Sequence, residues 1–219
     1  MSSIAERFID MSMLIVSRIT ILQGTDEIND KNKEMIKALF KFDEGIPQDI
    51  VVIDTTLHSG QFKELSPFIL PAPPAKNMEN LWQFSKVYSC HVDERGCVNA
   101  TWELWRGKGW SDIKAHRYPM GKGAIPLFSY WNGERLNYIQ ARKKIYIPEY
   151  AKNVIHTDSF KRLSKLYQQK SIVLLDYDAY DNEALGMTLV DVVNNPHRKM
   201  GHAFVLMMIL TGWLKRCLA

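Results

Sequence analysis

Three features of the sequence predict a mixed α+β fold, one compact domain with a small sheet surrounded by helices. A strand read over Ser171 to Leu175 holds four branched apolar side chains and is closed off by Asp176, Tyr177 and Asp178, the pattern of a strand covered on both faces. Phe160, Leu163, Leu166 and Tyr167 recur at helical spacing after a Thr157–Asp158 cap, so a helix feeds that strand. The chain has 219 residues, 46% of them hydrophobic, which is enough for a large core without disulfide staples.

Composition narrows the setting. A net charge of +4 permits a phosphate-bearing or nucleic-acid partner without requiring one. Cys90, Cys97 and Cys217 are odd in number and lack zinc-site spacing, so reduced thiols are expected. The first ten residues carry Glu6, Arg7 and Asp10, unlike a secretory leader, and the apolar run 203–210 is too short to span a bilayer. A soluble cytoplasmic or nuclear protein, not secreted and not in a membrane, is the expectation.

Taken in order, residues 4–22 mix helical spacing (Ile4, Phe8, Met11, Ile15) with a β-rich end. Thr25 or Asp26 caps a helix expected over 27–41, and 49–54 reads as a short buried strand. These elements form an N-terminal αβ segment, 1–66, packed on the main domain. Prolines crowd the following stretch, making 67–79 an extended connector. The main domain, 80–219, opens with Trp82 to Tyr88, a turn at 93–96 and a helix bearing Trp102 and Trp105. Residues 107–126, rich in glycine, proline and basic side chains, read as a loop. Helices are expected over 133–146, from Pro148 to about 154, from 157 to 167, and from an Asn194 or Asn195 cap with Pro196 in the first turn to about Leu210.

Chemistry concentrates in three places. Trp82, Trp102 and Trp105, interleaved with Lys86, Glu103 and Arg106, suit a pocket that stacks a planar ring, or a core. On a helix Trp102 and Trp105 share a face, which leaves Glu103 as either a solvated carboxylate or one aimed into a cleft. The Arg142–Lys144 run is either a solvated face or a phosphate clamp. Asp176 and Asp178 at a strand end, with Asp181 beyond, resemble the nucleophile–acid pair of a magnesium phosphohydrolase, but only about forty residues follow them. His197 and His202 are five apart, which does not align two zinc ligands on a helix.

The order of elements over residues 80–212 resembles the NADAR or YbiA-like family of N-glycosidases. The resemblance is carried by Phe84-Ser85-Lys86 where family members show Ser-Asn-Phe, and by Glu103 where they place a catalytic glutamate on the next helix. Asp181 and Gly186 stand where they show Asp before Trp-Gly, and Asn195 and Gly201 where Gly-x-Asn-x-x-Gly opens a helix. It implies cleavage of a C–N glycosidic bond in an ADP-ribosyl or nucleotide-like substrate, with no cofactor or metal. Glu103 would stabilise the oxocarbenium-like state or activate water, with Asp176 and Asp178 assisting. Arg142, Lys143, Arg198 and the Asn195 helix start would hold phosphates. Trp82, Trp102 and Trp105 would stack the base, and Ser85, Lys86, Arg106 and His202 complete the expected substrate-binding set. Two other readings stand beside it: a non-enzymatic module binding nucleic acid or protein, and a metal-dependent phosphohydrolase using Asp176 and Asp178.

Overall fold

The computed structural model describes residues 35–219 except 44 and 47; the expected elements at 4–22 and over most of 27–41 lie outside them. Two three-stranded sheets and a shell of helices make up the α+β fold. Strands β1 (Ile36–Phe40) and β2 (Val51–Asp54) flank a later strand in a parallel sheet. The segment 36–40 is therefore a strand where helical spacing predicts the end of a helix. Pairing with a partner more than 130 residues away outweighs local periodicity there.

The proline-rich connector packs inward, burying Leu70, Ala72 and Ala75, and leads into α1 (Met78–Phe84), capped by the Asn77 side chain. A short β3 (Lys86–Val87) follows, then α2 (Ala100–Ser111) with Asn99 as its cap. Strands β4 (Phe128–Trp131) and β5 (Glu134–Leu136) complete an antiparallel sheet with β3. The 133–146 helix prediction fails in its first half because Asn132 and Gly133, with φ of 50° and 83°, form the two-residue turn of a hairpin.

Helix α3 (Tyr138–Ala141) begins at an Asn137–Gln140 capping box and passes into a π-helical turn, Arg142–Tyr146, then α4 (Ile147–Val154). The wide turn has a local cause. Pro148 offers no N–H, and its ring would strike the carbonyl of residue 144 in a regular helix, so the Ile147 amide reaches back five residues to Arg142. Thr157 caps α5 (Asp158–Tyr167), which feeds β6 (Ile172–Asp176), the central strand of the parallel sheet.

The helix predicted from Asn195 forms only in its second half, since residues 195–201 are not helical. α6 (Leu189–Asn194) ends where Pro196 forces Asn195 into extended backbone, and α7 (His202–Leu210) starts from Gly201. All nine residues of α7 are buried, packed on β1, β6 and α4, with α8 (Leu214–Leu218) beyond. Because β1 and β2 sandwich β6, residues 36–66 share one core with the rest of the chain.

Candidate functional site

The carboxyl ends of parallel strands leave a crevice where ligands bind in open α/β sheets, and here they open on a cleft of about 310 Å³. Thr56 beyond β2, Asp176 and Asp178 at the end of β6, and Lys199 to His202 at the mouth of α7 form its floor. Helix α1 and the residues just past it supply one wall through Glu79, Trp82, Gln83 and Lys86, spaced to fall on one helical face. Tyr138, Arg142 and Tyr146 come from α3 and the π turn, and Arg117 and Tyr118 from the 112–127 loop.

At the floor, Asp176 is committed to structure. Its Oδ2 lies 3.1 Å from His202 Nδ1 and accepts from the Ala203 amide at 3.3 Å, so it stands in for the missing side-chain cap of α7. His202 Nε2 faces the Thr55 carbonyl at 2.9 Å. Acceptors facing both ring nitrogens favour the protonated ring, in which both nitrogens donate. Burial alone would push Asp176 up and His202 down; their mutual charge and hydrogen bond outweigh it, holding the carboxyl below and the imidazole above their ordinary values.

The α1 wall is where a carboxyl is unusual. Glu79 is 7% exposed, and burial pushes its carboxyl up despite the Gln83 amide donating to Oε1 at 2.9 Å. Lys86 Nζ donates to Gln83 Oε1 at 2.6 Å and lies 5.1 Å from the centre of the Trp82 ring. Desolvation, against the attraction of Glu79, brings its ammonium down to about 8. Trp82 meets Tyr146 edge-on at 5.3 Å and Tyr138 at 6.4 Å, forming an aromatic wall. Asp178 closes the opposite side, with Arg117 Nη2 at 2.8 Å on one oxygen and Lys199 Nζ at 3.7 Å on the other.

Of the residues singled out in the sequence, Trp82, Lys86, Arg142, Asp176, Asp178 and His202 line the cleft. Glu103 does not: its side chain is 60% exposed on the outer face of α2 and pairs with Arg106 at 3.2 Å. Trp102 is fully buried and donates from Nε1 to the Lys86 carbonyl at 2.9 Å, supporting the wall from behind. Trp105 packs between Phe84 and His91, and Arg106 lies over the Trp102 and Trp110 rings. Ser85 is buried and donates to the Trp82 carbonyl, closing α1. Lys143 lies outside the cleft, its charge felt by Cys217 of α8.

The phosphate-clamp assignments change with the geometry. Arg142 is 1% exposed; its Nη1 donates to the carbonyls of Val192, Val193 and Asn195 at 3.1, 3.1 and 2.7 Å, and its Nη2 to Tyr138 Oη at 2.9 Å and to the Arg198 carbonyl. A guanidinium so occupied fastens the 192–198 segment to the π turn. Asn195 opens no helix, its side chain accepting instead from the His197 amide, and Arg198 lies over Tyr180. Reasoning from sequence misses Glu79, Gln83, Arg117, Tyr138 and Tyr146. The i, i+3, i+4, i+7 series of Glu79, Trp82, Gln83 and Lys86 is the signal that finds the first two.

Among the described residues no group of three or more His, Cys, Asp or Glu side chains is placed to hold a metal, and no helix is long and apolar enough to cross a membrane. Fold and cleft thus define an α+β protein with a cationic, aromatic-walled pocket at the carboxyl end of a parallel sheet. The chain belongs to the family of unknown function DUF6939, whose profile matches residues 37–205. No curated protein and no solved structure matches it.

Proposed function

We propose that the protein is an N-glycosidase that hydrolyses the C–N bond of a nucleotide-like or ADP-ribosyl substrate in this cleft. The observation that carries the reading is the placement of one buried carboxyl, Glu79, beside an aromatic wall and a cluster of cations. The resemblance of residues 80–212 to NADAR proteins supplies the reaction class alone: its matching glutamate, Glu103, is exposed and paired with Arg106, and Glu79, which lies outside that stretch, takes the role on its position in the cleft.

Breaking an N-glycosidic bond needs a proton for the departing nitrogen and negative charge near the sugar carbon as it becomes oxocarbenium-like. Glu79, whose carboxyl is biased toward its protonated form by burial, supplies the proton. Asp178 stabilises the developing positive charge and takes a proton from the attacking water. The bond electrons pass to the nitrogen, water oxygen bonds to the anomeric carbon, and the free base and reducing sugar leave. Trp82 and Tyr138 offer faces for the base.

Base release from a panel of nucleoside monophosphates and ADP-ribosylated nucleotides tests this. Glu79→Gln lowers the rate by about 10²- to 10⁴-fold, the usual worth of a positioned acid, whereas Glu103→Gln leaves it unchanged. No release from any panel member by the native protein would refute the proposal.

A further inference from the structure

The cleft holds more cations than carboxylates. Lys86, Arg117, Arg142 and Lys199, with the His202 ring beside Asp176, stand against Glu79, Asp176 and Asp178. Their pairings leave the excess in one place. Asp176 is matched by His202, and Arg142 is spent on carbonyls and a phenol. Arg117 and Lys199 share the single carboxylate of Asp178, one on each oxygen. Lys86, whose hydrogen-bond acceptor is the neutral Gln83 amide, is near enough to Lys199 for the two ammonium groups to repel. Glu79, buried and biased toward its neutral form, is the other carboxyl that Lys86 and Arg117 feel, so an anion entering there gains from all three cations.

The framework around them is fixed. The amide of His116 donates to Asn80 Oδ1 at 2.8 Å, and Asn80 Nδ2 donates to the carbonyls of Asp112 and Lys114 at 3.0 and 2.9 Å, so the residue beside Arg117 is tied to α1. Asp178 is anchored by its backbone, whose carbonyl accepts from Gly201 N at 3.1 Å. Its side chain carries no part of that anchor; its partners are Arg117 and Lys199, so an anion that takes over both cations can release it.

We infer that Arg117 and Lys199, with Lys86 behind them, form the site for the phosphate of a sugar phosphate, and that Asp178 is its resident placeholder, displaced when phosphate arrives. This rests on the cleft being the substrate site of the proposed N-glycosidase, and it adds a selectivity rule. A substrate without phosphate leaves Asp178 paired with Arg117 and Lys199. A phosphorylated one takes over both cations and frees the carboxylate for the anomeric carbon and its water.

Calorimetric titration with ribose 5-phosphate, ADP-ribose and ribose tests the site apart from any cleavage, the first two distinguishing a terminal monoester from a bridged pyrophosphate. For whichever phosphate binds, Lys199→Gln and Arg117→Gln weaken affinity about tenfold each, and ribose does not bind. Asp178→Asn, or Asp178→Ser should the first variant fold poorly, tightens affinity about tenfold because the competing anion is gone. Lys108→Gln, on the exposed surface of α2, is the control and changes nothing. Failure of both phosphates to bind, unchanged affinity in Lys199→Gln and Arg117→Gln, or weaker binding in both Asp178 variants overturns the inference. Phosphate binding without base release would sink the N-glycosidase reading alone, and base release with unaltered affinities in the lysine and arginine variants would sink this site alone.

Discussion

A methyl group on Gly201 would come within 1.9 Å of Asp176 Oδ2, so glycine is required there by close approach and not by backbone angle. Gly201→Ala drives the Asp176 carboxylate off the α7 amide and the His202 ring; destabilisation of about 1–3 kcal/mol, read by urea unfolding, is expected from such overpacking. The ion pair it protects also sets a pH signature. His202 has its folded pKa raised, so its contribution is complete below the unfolded value of about 6.5 and is lost as pH rises through the folded value. Asp176 has its folded pKa lowered, so its contribution is present above about 3.8 and is lost as pH falls through the folded value. Stability from this pair is therefore greatest in mild acid. His202→Gln removes the decline on the alkaline side of 6.5; a urea midpoint that declines equally in both proteins would refute the pairing.

Among the elements, the π turn matters most to the cleft, because it brings Arg142 to the carbonyls behind the wall and Tyr146 to Trp82. Pro148→Ala restores an amide that favours a regular α-helical turn and rotates Tyr146 out of register with Trp82. The expected result is a loss of ligand affinity with little change, or a gain, in thermal stability, measured side by side. Arg142→Gln has the opposite profile. It leaves several buried carbonyls short of a donor, at about 1–3 kcal/mol for each one stranded, so unfolding moves to lower urea whether or not ligand is present.

Across the whole molecule, what can be read from the sequence follows the range of the interactions. The strand β6 and the Thr157-capped helix are set by local apolar pattern and capping, and are legible within a residue or so. Trp82 and Asp178 are picked out by type, an aromatic among basic residues and a strand-end carboxylate, whereas Lys86 and His202 enter the substrate-binding set with the family resemblance, and all four line the cleft. Strand β1 is not, since its identity comes from pairing with β6 far along the chain. The hairpin turn at Asn132–Gly133 carries a strong local signal that the helical spacing around it conceals. Arg117 sits in a loop without periodicity, and only folding shows that it reaches Asp178. Glu103 is drawn toward the site by its neighbours Trp102 and Trp105, yet a residue adjacent to a fully buried tryptophan on a helix turns toward solvent.

The depressed ammonium of Lys86 gives the cleft a chemical handle. An ordinary lysine, near 10.5, is almost wholly protonated at neutral pH, whereas one brought down to about 8 remains mainly a cation yet presents roughly a tenth of its population as free amine, several hundredfold more. An acylating reagent applied for a short time near neutrality should therefore modify Lys86 ahead of solvent-facing lysines such as Lys108 and Lys122. Peptide mapping by mass spectrometry would then report occupancy of the cleft directly, as protection of that one side chain, for any compound library and whatever reaction the cleft performs.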